Sequence, residues 1–243
     1  AGGEDLIFPH HENEIAQSEA ANGKEFSRYW MHNGFLNIDN RKMSKSLGNF
    51  FTVREISEKY DLQVLRFFML SAHYRSPLNF SAELMEAAKS GLERIITAAD
   101  RLKFLMGSAK TEDMAETEAE KFAKSAEYVG NFESAMDDDF NTADAIAAVF
   151  DLVKFINTMT DEDSSKEYLE NLFDRLVRLT EVLGIIVDKE DEILDSDIEA
   201  LIAERQAARK EKNFARADEI RDELLAKGIV LKDTREGVQW KRA

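Results

Sequence analysis

The sequence contains no cysteine and only two prolines in 243 residues. The absence of cysteine excludes disulfides and thiolate nucleophiles, and it restricts any metal site to His, Asp or Glu ligands. The scarcity of proline allows long uninterrupted helices. The sequence also lacks an apolar run long enough to cross a bilayer, and residues 1–8 lack the basic start and apolar stretch of a signal peptide. These absences favour a cytoplasmic protein that makes no use of a membrane.

The net charge of −16 is unevenly distributed along the chain. Residues 111–139 hold ten acidic and two basic side chains, and residues 160–197 hold thirteen and four. Residues 198–243 hold eleven basic and nine acidic side chains. The total charge argues against nucleic-acid binding by charge alone, but this distribution leaves the two ends of the chain approachable by a polyanion.

Hydrophobic periodicity predicts a mainly α fold. Residues 1–51 predict half of an α/β unit, and residues 52–80 predict two short helices followed by a loop over 71–80. Residues 81–187 predict an antiparallel bundle of four or five helices. Residues 188–197 form an acidic linker, and residues 198–243 predict a small α+β module of two helices and a β-hairpin.

Short polar residues ahead of apolar runs predict where helices begin. Thr52 and Glu55 form a predicted capping box, and Asp61 and Ser81 are predicted N-caps. Gly184 follows the last helical run of the predicted bundle and is a predicted C-cap.

The most specific signal is Lys42-Met43-Ser44-Lys45-Ser46, in a predicted loop after a strand. Two ammonium groups three residues apart, with hydroxyls near them, suit phosphate oxygens. In a reaction that expels pyrophosphate, such donors act where negative charge builds up in the transition state. A solvated basic turn is the usual interpretation of a Lys/Ser loop, but the complete pentapeptide is too specific for it.

His10 and Glu14 are four residues apart in a predicted helix, which places both side chains on one face. A histidine and a carboxylate at that spacing can bind one zinc ion. A partly buried histidine near a first-turn carboxylate explains the same spacing without a metal. The residues alone leave both interpretations open.

The pentapeptide resembles the second signature of class I aminoacyl-tRNA synthetases. Four further segments resemble the cysteinyl-tRNA synthetase family of that class, namely residues 8–19, 29–32, 73–76 and 136–142. The resemblance extends over essentially all 243 residues. It implies that the full enzyme, expected to be a cytoplasmic monomer, activates L-cysteine with ATP and magnesium, releases pyrophosphate and transfers cysteine to tRNA(Cys).

The resemblance also assigns the predicted domains. Residues 1–51 would be the C-terminal part of a class I nucleotide-binding (Rossmann-like) domain, and residues 52–80 a segment that contacts the tRNA stem. Residues 81–187 would be a tRNA-binding helical bundle, joined by the linker 188–197 to an anticodon-binding module over 198–243.

By resemblance, Lys42 and Lys45 are catalytic and hold the ATP phosphates, with Ser44 and Ser46 assisting. Four more residues would bind the nucleotide: Gly3, Asp5, His32 and Gly34. The Asp5 carboxylate would accept from the ribose hydroxyls. An ordinary turn explains Gly3 and Asp5 equally well, and a structural role is an equal alternative for His32 and Gly34.

The family holds one zinc ion with two cysteines, a histidine and a glutamate, and this zinc selects cysteine through its thiolate. The matching residues are His10 and Glu14, and the cysteines belong to segments upstream of Ala1. A thiolate binds zinc strongly, and a serine hydroxyl binds it poorly. Zinc ligation therefore distinguishes cysteine from serine, two amino acids of similar shape that an apolar pocket could not tell apart. This chain is therefore expected to hold half of the zinc site.

The predicted RNA-binding residues lie in two regions. Tyr74 and Arg75 belong to the stem-contact segment, where an ordinary surface arginine is an equal alternative. In the last module, basic side chains accompany an aromatic ring, as a single-stranded anticodon loop requires: Arg209, Arg216, Arg235, Trp240, Lys241 and Arg242. A Trp240 ring packed on the helical pair is the alternative there. The acidic run 137–139 would repel RNA and is interpreted as a helix-start carboxylate cluster.

Two other functions remain open from the sequence. A ligase that joins cysteine to an amino sugar shares the catalytic half but has no anticodon to read, so residues 198–243 argue against it. A non-catalytic tRNA-binding or regulatory fragment fits a chain that begins without Met, as if cut from a longer protein. A Cys-bearing segment and a His-Ile-Gly-His motif upstream of Ala1 would decide for the synthetase.

Overall fold

The computed structural model describes residues 1–38, 41–43, 51–187, 195–210, 213–227, 229–234 and 237–242. The chain divides into two compact units, Ala1–Asp188 and Lys189–Ala243. The described residues are mainly helical, as the sequence predicts, with small sheets. Among them, no helix is both long and apolar enough to span a membrane.

The first unit begins with short strands around one helix. The elements are β1 (Gly2–Gly3), α1 (Glu12–Asn22), β2 (His32–Asn33), β3 (Leu36–Ile38), β4 (Arg41–Lys42) and β5 (Leu78–Phe80). Strands β1 and β2 pair in parallel. Strand β3 pairs antiparallel with β4 and parallel with β5, which gives a three-stranded sheet of order β4-β3-β5. Helix α1 ends at Asn22, and Gly23 caps it with a φ of 63°.

The loop predicted over 71–80 is wrong at its end, because Leu78–Phe80 is strand β5. The amide of Leu78 donates to the carbonyl of Phe35 at 3.0 Å, so the partner strand comes from more than forty residues upstream. A three-residue strand has little signal of its own, and its pairing depends on this distant contact.

Among the described residues, seven helices follow in the first unit: α2 (Val53–Ser57), α3 (Leu62–Leu70), α4 (Ala82–Ser108), α5 (Glu116–Lys124), α6 (Ala126–Asp137), α7 (Thr142–Met159) and α8 (Lys166–Val182). The predicted capping box is present, since Thr52 accepts from the amide of Glu55 and the Glu55 carboxylate accepts from that of Thr52. Asp61 and Ser81 cap α3 and α4 as predicted.

Helices α3 to α8 share one apolar core. Its largest fully buried side chains include Met85 and Ile95 from α4, Leu152 and Ile156 from α7, and Tyr168 from α8. Burying an aliphatic side chain of this size contributes about 1.5–3 kcal/mol, so this core stabilises the unit strongly.

The second unit has its own small core. It contains α9 (Asp195–Lys210), α10 (Phe214–Ala226), β6 (Ile229–Thr234) and β7 (Gly237–Arg242). The two strands form the predicted antiparallel hairpin, with Leu231 opposite Trp240. The buried members of the core are Ile202, Ile220, Leu224 and Ile229.

Candidate functional site

The glycines at the beginning of the chain lie beside His32. The amide of Gly2 donates to the carbonyl of Met31 at 3.0 Å, and the parallel register pairs Gly2 with His32. A side chain on Gly3 would meet the Asp5 carboxylate at 2.6 Å, so glycine leaves the room that this carboxylate occupies. The structure thus brings three of the predicted nucleotide ligands together, Gly3 and His32 on paired strands and Asp5 in the helical turn Glu4–Leu6 that follows β1. Their contact with ATP stays a prediction.

His11 lies at the centre of this region and is only 8% exposed. Its Nδ1 is 2.8 Å from Nε2 of His32, so one nitrogen donates and the other accepts. Trp30 packs against both rings, with centroids 5.0 Å from His11 and 6.1 Å from His32. The family resemblance pointed to His10, and nothing in the local sequence indicates that the next histidine is the buried one.

The predicted zinc ligands His10 and Glu14 are both exposed. In the parts of the chain that the structure describes, no three His, Asp or Glu residues lie close enough together to hold a metal ion. A catalytic zinc normally takes three protein ligands. These two residues therefore do not complete a zinc site by themselves.

Gly34 has a packing role that the sequence did not reveal. Its amide donates to the carbonyl of Tyr74 at 2.9 Å. A Cβ at this position would lie 2.5 Å from the carbonyl carbon of Ser76 and 2.7 Å from the nitrogen of Pro77. Only glycine allows the link between β2 and β3 to approach the 73–77 backbone so closely. This role is compatible with the predicted place of Gly34 in a nucleotide pocket.

The lysine-rich pentapeptide begins on strand β4. The backbone of Lys42 pairs with Asn37, and the amide of Met43 donates to the carbonyl of Leu36 at 3.1 Å. The structure describes the backbone of Lys42 and not its side chain. Ser44, Lys45 and Ser46 lie outside the described residues, and their phosphate contacts stay predictions.

Tyr74 and Arg75 contact a carboxylate of the α6–α7 turn. The Tyr74 hydroxyl donates to Oδ1 of Asp139 at 2.8 Å, and Nε of Arg75 donates to Oδ2 at 2.5 Å. Nε2 of His73 is 3.9 Å from the same carboxylate. The acidic run is therefore not only a helix-start cluster. Asn141 caps α7 by accepting from the amide of Asp144, while Asp139 binds the predicted RNA-contact residues.

These contacts shift the three ionisable groups in consistent directions. The hydrogen bond from Arg75, followed by that from Tyr74, holds the pKa of Asp139 below its usual range. The same bond to Asp139 raises the pKa of Arg75. Desolvation and then the hydrogen bond to Asp139 raise the pKa of Tyr74. At neutral pH the cluster is therefore an ionised carboxylate held by a guanidinium and a neutral phenol.

In the second unit, acidic neighbours hold one predicted RNA-binding arginine. Arg216 lies 2.9 Å from Glu204 and 3.2 Å from Glu219, and its pKa is raised by hydrogen bonds to Glu204 and then Glu219. Arg209 is exposed on α9. Trp240, Lys241 and Arg242 belong to β7, for which the structure describes the backbone alone. Arg235 lies outside the described residues.

Family models define the class of this protein. Residues 1–90 match the model described as "tRNA synthetases class I (C) catalytic domain". Residues 131–187 match the "DALR domain", and residues 191–240 match the "Cysteinyl-tRNA ligase anticodon binding domain". The chain is thus similar to class I synthetases along most of its length.

Curated relatives narrow the class to a family. The chain is 69% identical over 243 residues to a cysteine–tRNA ligase of Lachnospira eligens, covering 100% of this chain and 52% of that protein. Cysteine–tRNA ligases of Lachnoclostridium phytofermentans and Clostridioides difficile are 57% and 54% identical, again over 100% of this chain and 53% and 52% of theirs. The chain belongs to the cysteine–tRNA ligase family, which confirms the resemblance seen in the motifs, and it spans about half the length of these relatives.

A solved structure shows the same fold. LeuRS of Agrobacterium radiobacter K84, in a ternary complex with tRNA and LeuAMS, aligns with a TM-score of 0.64 and 19% identity. The alignment covers 78% of this chain and 27% of that one. At this identity the likeness concerns the fold alone.

Proposed function

We propose that the protein to which this chain belongs is a cysteine–tRNA ligase that activates L-cysteine with ATP and magnesium and transfers it to tRNA(Cys). The observation that supports this most directly is the grouping of Gly3 and His32 on the paired strands β1 and β2, with the Asp5 carboxylate beside Gly3 in the helical turn Glu4–Leu6. In the same unit, β4 leads into the pentapeptide that contains Lys45. Because the chain belongs to the cysteine–tRNA ligase family, we infer that these residues bind ATP.

The nucleotide would bind along the strand ends of this region. Asp5 would accept from the ribose hydroxyls, and His32 and Gly34 would line the adenosine pocket. Lys42 and Lys45 would hold the phosphates as point charges, because an ammonium group stabilises the negative charge that accumulates as pyrophosphate leaves. Ser44 and Ser46 would add hydroxyl donors.

The remaining segments would bind tRNA. Residues 52–80 would contact the stem, the antiparallel helical bundle over 81–187 would support it, and the module that begins with α9 would meet the anticodon. The predicted linker 188–197 is shorter than expected at its end, because α9 begins at Asp195. The apolar core shared by α3 to α8 supports one helical body, and the separate core of the second unit supports an independent module. Within it, Arg209 and the basic residues of β7 would meet phosphates.

His10 and Glu14 are proposed as two ligands of a zinc ion that the full-length protein would complete. The exposure of both side chains leaves them accessible to further ligands. The full-length protein is proposed to be a cytoplasmic monomer, as the family resemblance implies.

The test uses the full-length protein and the 243-residue chain side by side. The full-length protein should catalyse pyrophosphate exchange into ATP with L-cysteine but not with L-serine, and it should attach cysteine to a tRNA(Cys) transcript. The 243-residue chain alone should bind the transcript without exchange activity. Transfer of cysteine to an amino sugar instead of tRNA would contradict the proposal, as would exchange activity that ignores cysteine.

The anticodon-binding match over 191–240 favours the tRNA ligase over the amino-sugar ligase. A sugar substrate gives that module nothing to recognise. A purely tRNA-binding role describes the isolated chain and is the outcome expected if the full-length protein binds tRNA(Cys) without activating cysteine.

A further inference from the structure

Two neighbouring side chains donate hydrogen bonds to a single carboxylate, and a third side chain lies close to it. We call His73, Tyr74 and Arg75 the donor corner. The Tyr74 hydroxyl donates to Oδ1 of Asp139 at 2.8 Å, and Nε of Arg75 donates to Oδ2 at 2.5 Å. Nε2 of His73 lies 3.9 Å from Oδ2 of the same carboxylate. The Arg75 and Tyr74 groups also contact each other, with Nε 3.1 Å from the hydroxyl. Two adjacent donors to one oxyanion suit phosphate as well as carboxylate.

The donor corner is open to solvent. The Arg75 side chain is 56% exposed and the Asp139 side chain 41%. The rings of His73 and Tyr74 stack with centroids 4.8 Å apart, which orders the corner without the help of the carboxylate. A ligand from solution can therefore reach the donors that Asp139 occupies.

The backbone that presents Asp139 is unusual. Asp139 and Phe140 both have φ of 56°, a conformation that non-glycine residues rarely adopt. Hydrogen bonds at 3.1 Å from the amides of Phe140 and Asn141 to the carbonyls of Met136 and Ala135 fix this turn. These bonds do not involve the carboxylate, so the Asp139 side chain can rotate away while the turn stays folded.

Stability alone is a weak reason for this arrangement. An ion pair between exposed groups contributes little, because water screens both charges. Non-glycine residues in the left-handed region cost free energy and persist only where the surrounding structure holds them, and they cluster at functional sites. Here they place a carboxylate on residues that the sequence predicts to bind RNA.

We propose that the donor corner is a binding site for an RNA phosphate and that Asp139 occupies it in the free chain as an intramolecular competitor. The proposal rests on the proposed function, since tRNA supplies the phosphate. On binding, the phosphate oxygens accept from the Tyr74 hydroxyl and from Nε of Arg75, and the Asp139 side chain turns to solvent. Asp139 thereby makes RNA binding weaker than it would be with the donors alone.

The size of the effect follows from the fraction of time the corner is open. If Asp139 occupies the corner for about nine-tenths of the time, the apparent phosphate affinity falls about tenfold. Asp139→Asn removes the charge, keeps the size and tolerates positive φ. It should therefore tighten binding of a tRNA(Cys) transcript about tenfold, measured by fluorescence anisotropy with the 243-residue chain.

Asp138→Asn is the matched control. Asp138 is the neighbouring exposed carboxylate, so the same change of net charge acts on RNA by long-range repulsion alone. Asp139→Gly is a second variant that removes the carboxylate and accepts the left-handed backbone without strain, which covers the case in which Asn folds poorly. The gain should vanish in the Arg75→Ala, Asp139→Asn double variant.

A titration with inorganic phosphate separates this inference from the proposed function. The Nε–H signal of Arg75, followed by NMR, should respond to phosphate at concentrations about tenfold lower in Asp139→Asn than in Asp138→Asn. Equal responses in the two variants would overturn the inference. A difference with phosphate in a chain that binds no tRNA would support the site and reject the proposed tRNA function.

Discussion

Replacing Gly34 by alanine tests the contact that joins the predicted nucleotide region to the 73–77 segment. The added Cβ would lie 2.5 to 2.7 Å from the backbone atoms of Ser76 and Pro77. Overpacking costs about 1–3 kcal/mol, and backbone atoms cannot rotate away as a side chain can, so we expect about 3 kcal/mol. For a unit of this size that corresponds to a fall in Tm of about 6–12 °C.

The measurement is urea unfolding followed by the fluorescence of Trp30 in a Trp240→Phe background, which reports on the region of Gly34. Gly130→Ala is the control, because this glycine lies within α6 and a Cβ there meets nothing within 4 Å. It should stabilise the chain by about 0.5–1 kcal/mol, the usual gain of alanine over glycine in a helix. Equal unfolding midpoints for Gly34→Ala and its parent would refute the close approach of Gly34 to the Ser76–Pro77 backbone.

Three further predictions concern phosphate, pH and RNA. In the full-length protein, Lys45→Ala should lower cysteine activation more than tenfold with cysteine binding nearly unchanged, because a charge-assisted contact contributes about 1.5–3 kcal/mol; normal pyrophosphate exchange would make the loop merely structural. Burial raises the pKa of Glu118, but hydrogen bonds from the hydroxyl and amide of Ser165 outweigh it and lower the pKa. A lowered folded pKa gives stability that is present above the unfolded value and is lost as pH falls through the folded one, so urea unfolding of Glu118→Gln should depend less on acid pH than that of the parent; an unchanged acid dependence would contradict this. Lys241→Ala should reduce the log–log salt slope of tRNA binding by about 0.7–0.9, whereas Trp240→Ala should weaken binding at constant slope, since stacking releases no counterions; unchanged affinity and slope in both would exclude the hairpin.

Local signals in the sequence were enough for the helices and the hairpin. A cap such as Ser81 accepts from the helix it begins, and Gly184 takes φ of 65° at the end of the last bundle helix, so their chemistry acts within a few residues. The antiparallel pairing of β6 with β7 likewise follows from two strand-forming segments that lie close together in the sequence. Family membership was readable for a related reason, because a specific pentapeptide with further motifs in order is a property of sequence alone.

Tertiary structure decided the features that depend on distant partners. Strand β5 exists because Leu78 meets Phe35, and His11 rather than His10 is buried because His32 and Trp30 lie beside it. Asp139 binds Arg75 across 64 residues, a pairing that no spacing rule covers. Sequence periodicity reports which face of an element is apolar, but it does not report which elements meet. A polar side chain meets a partner that is distant in the sequence only after the chain has folded.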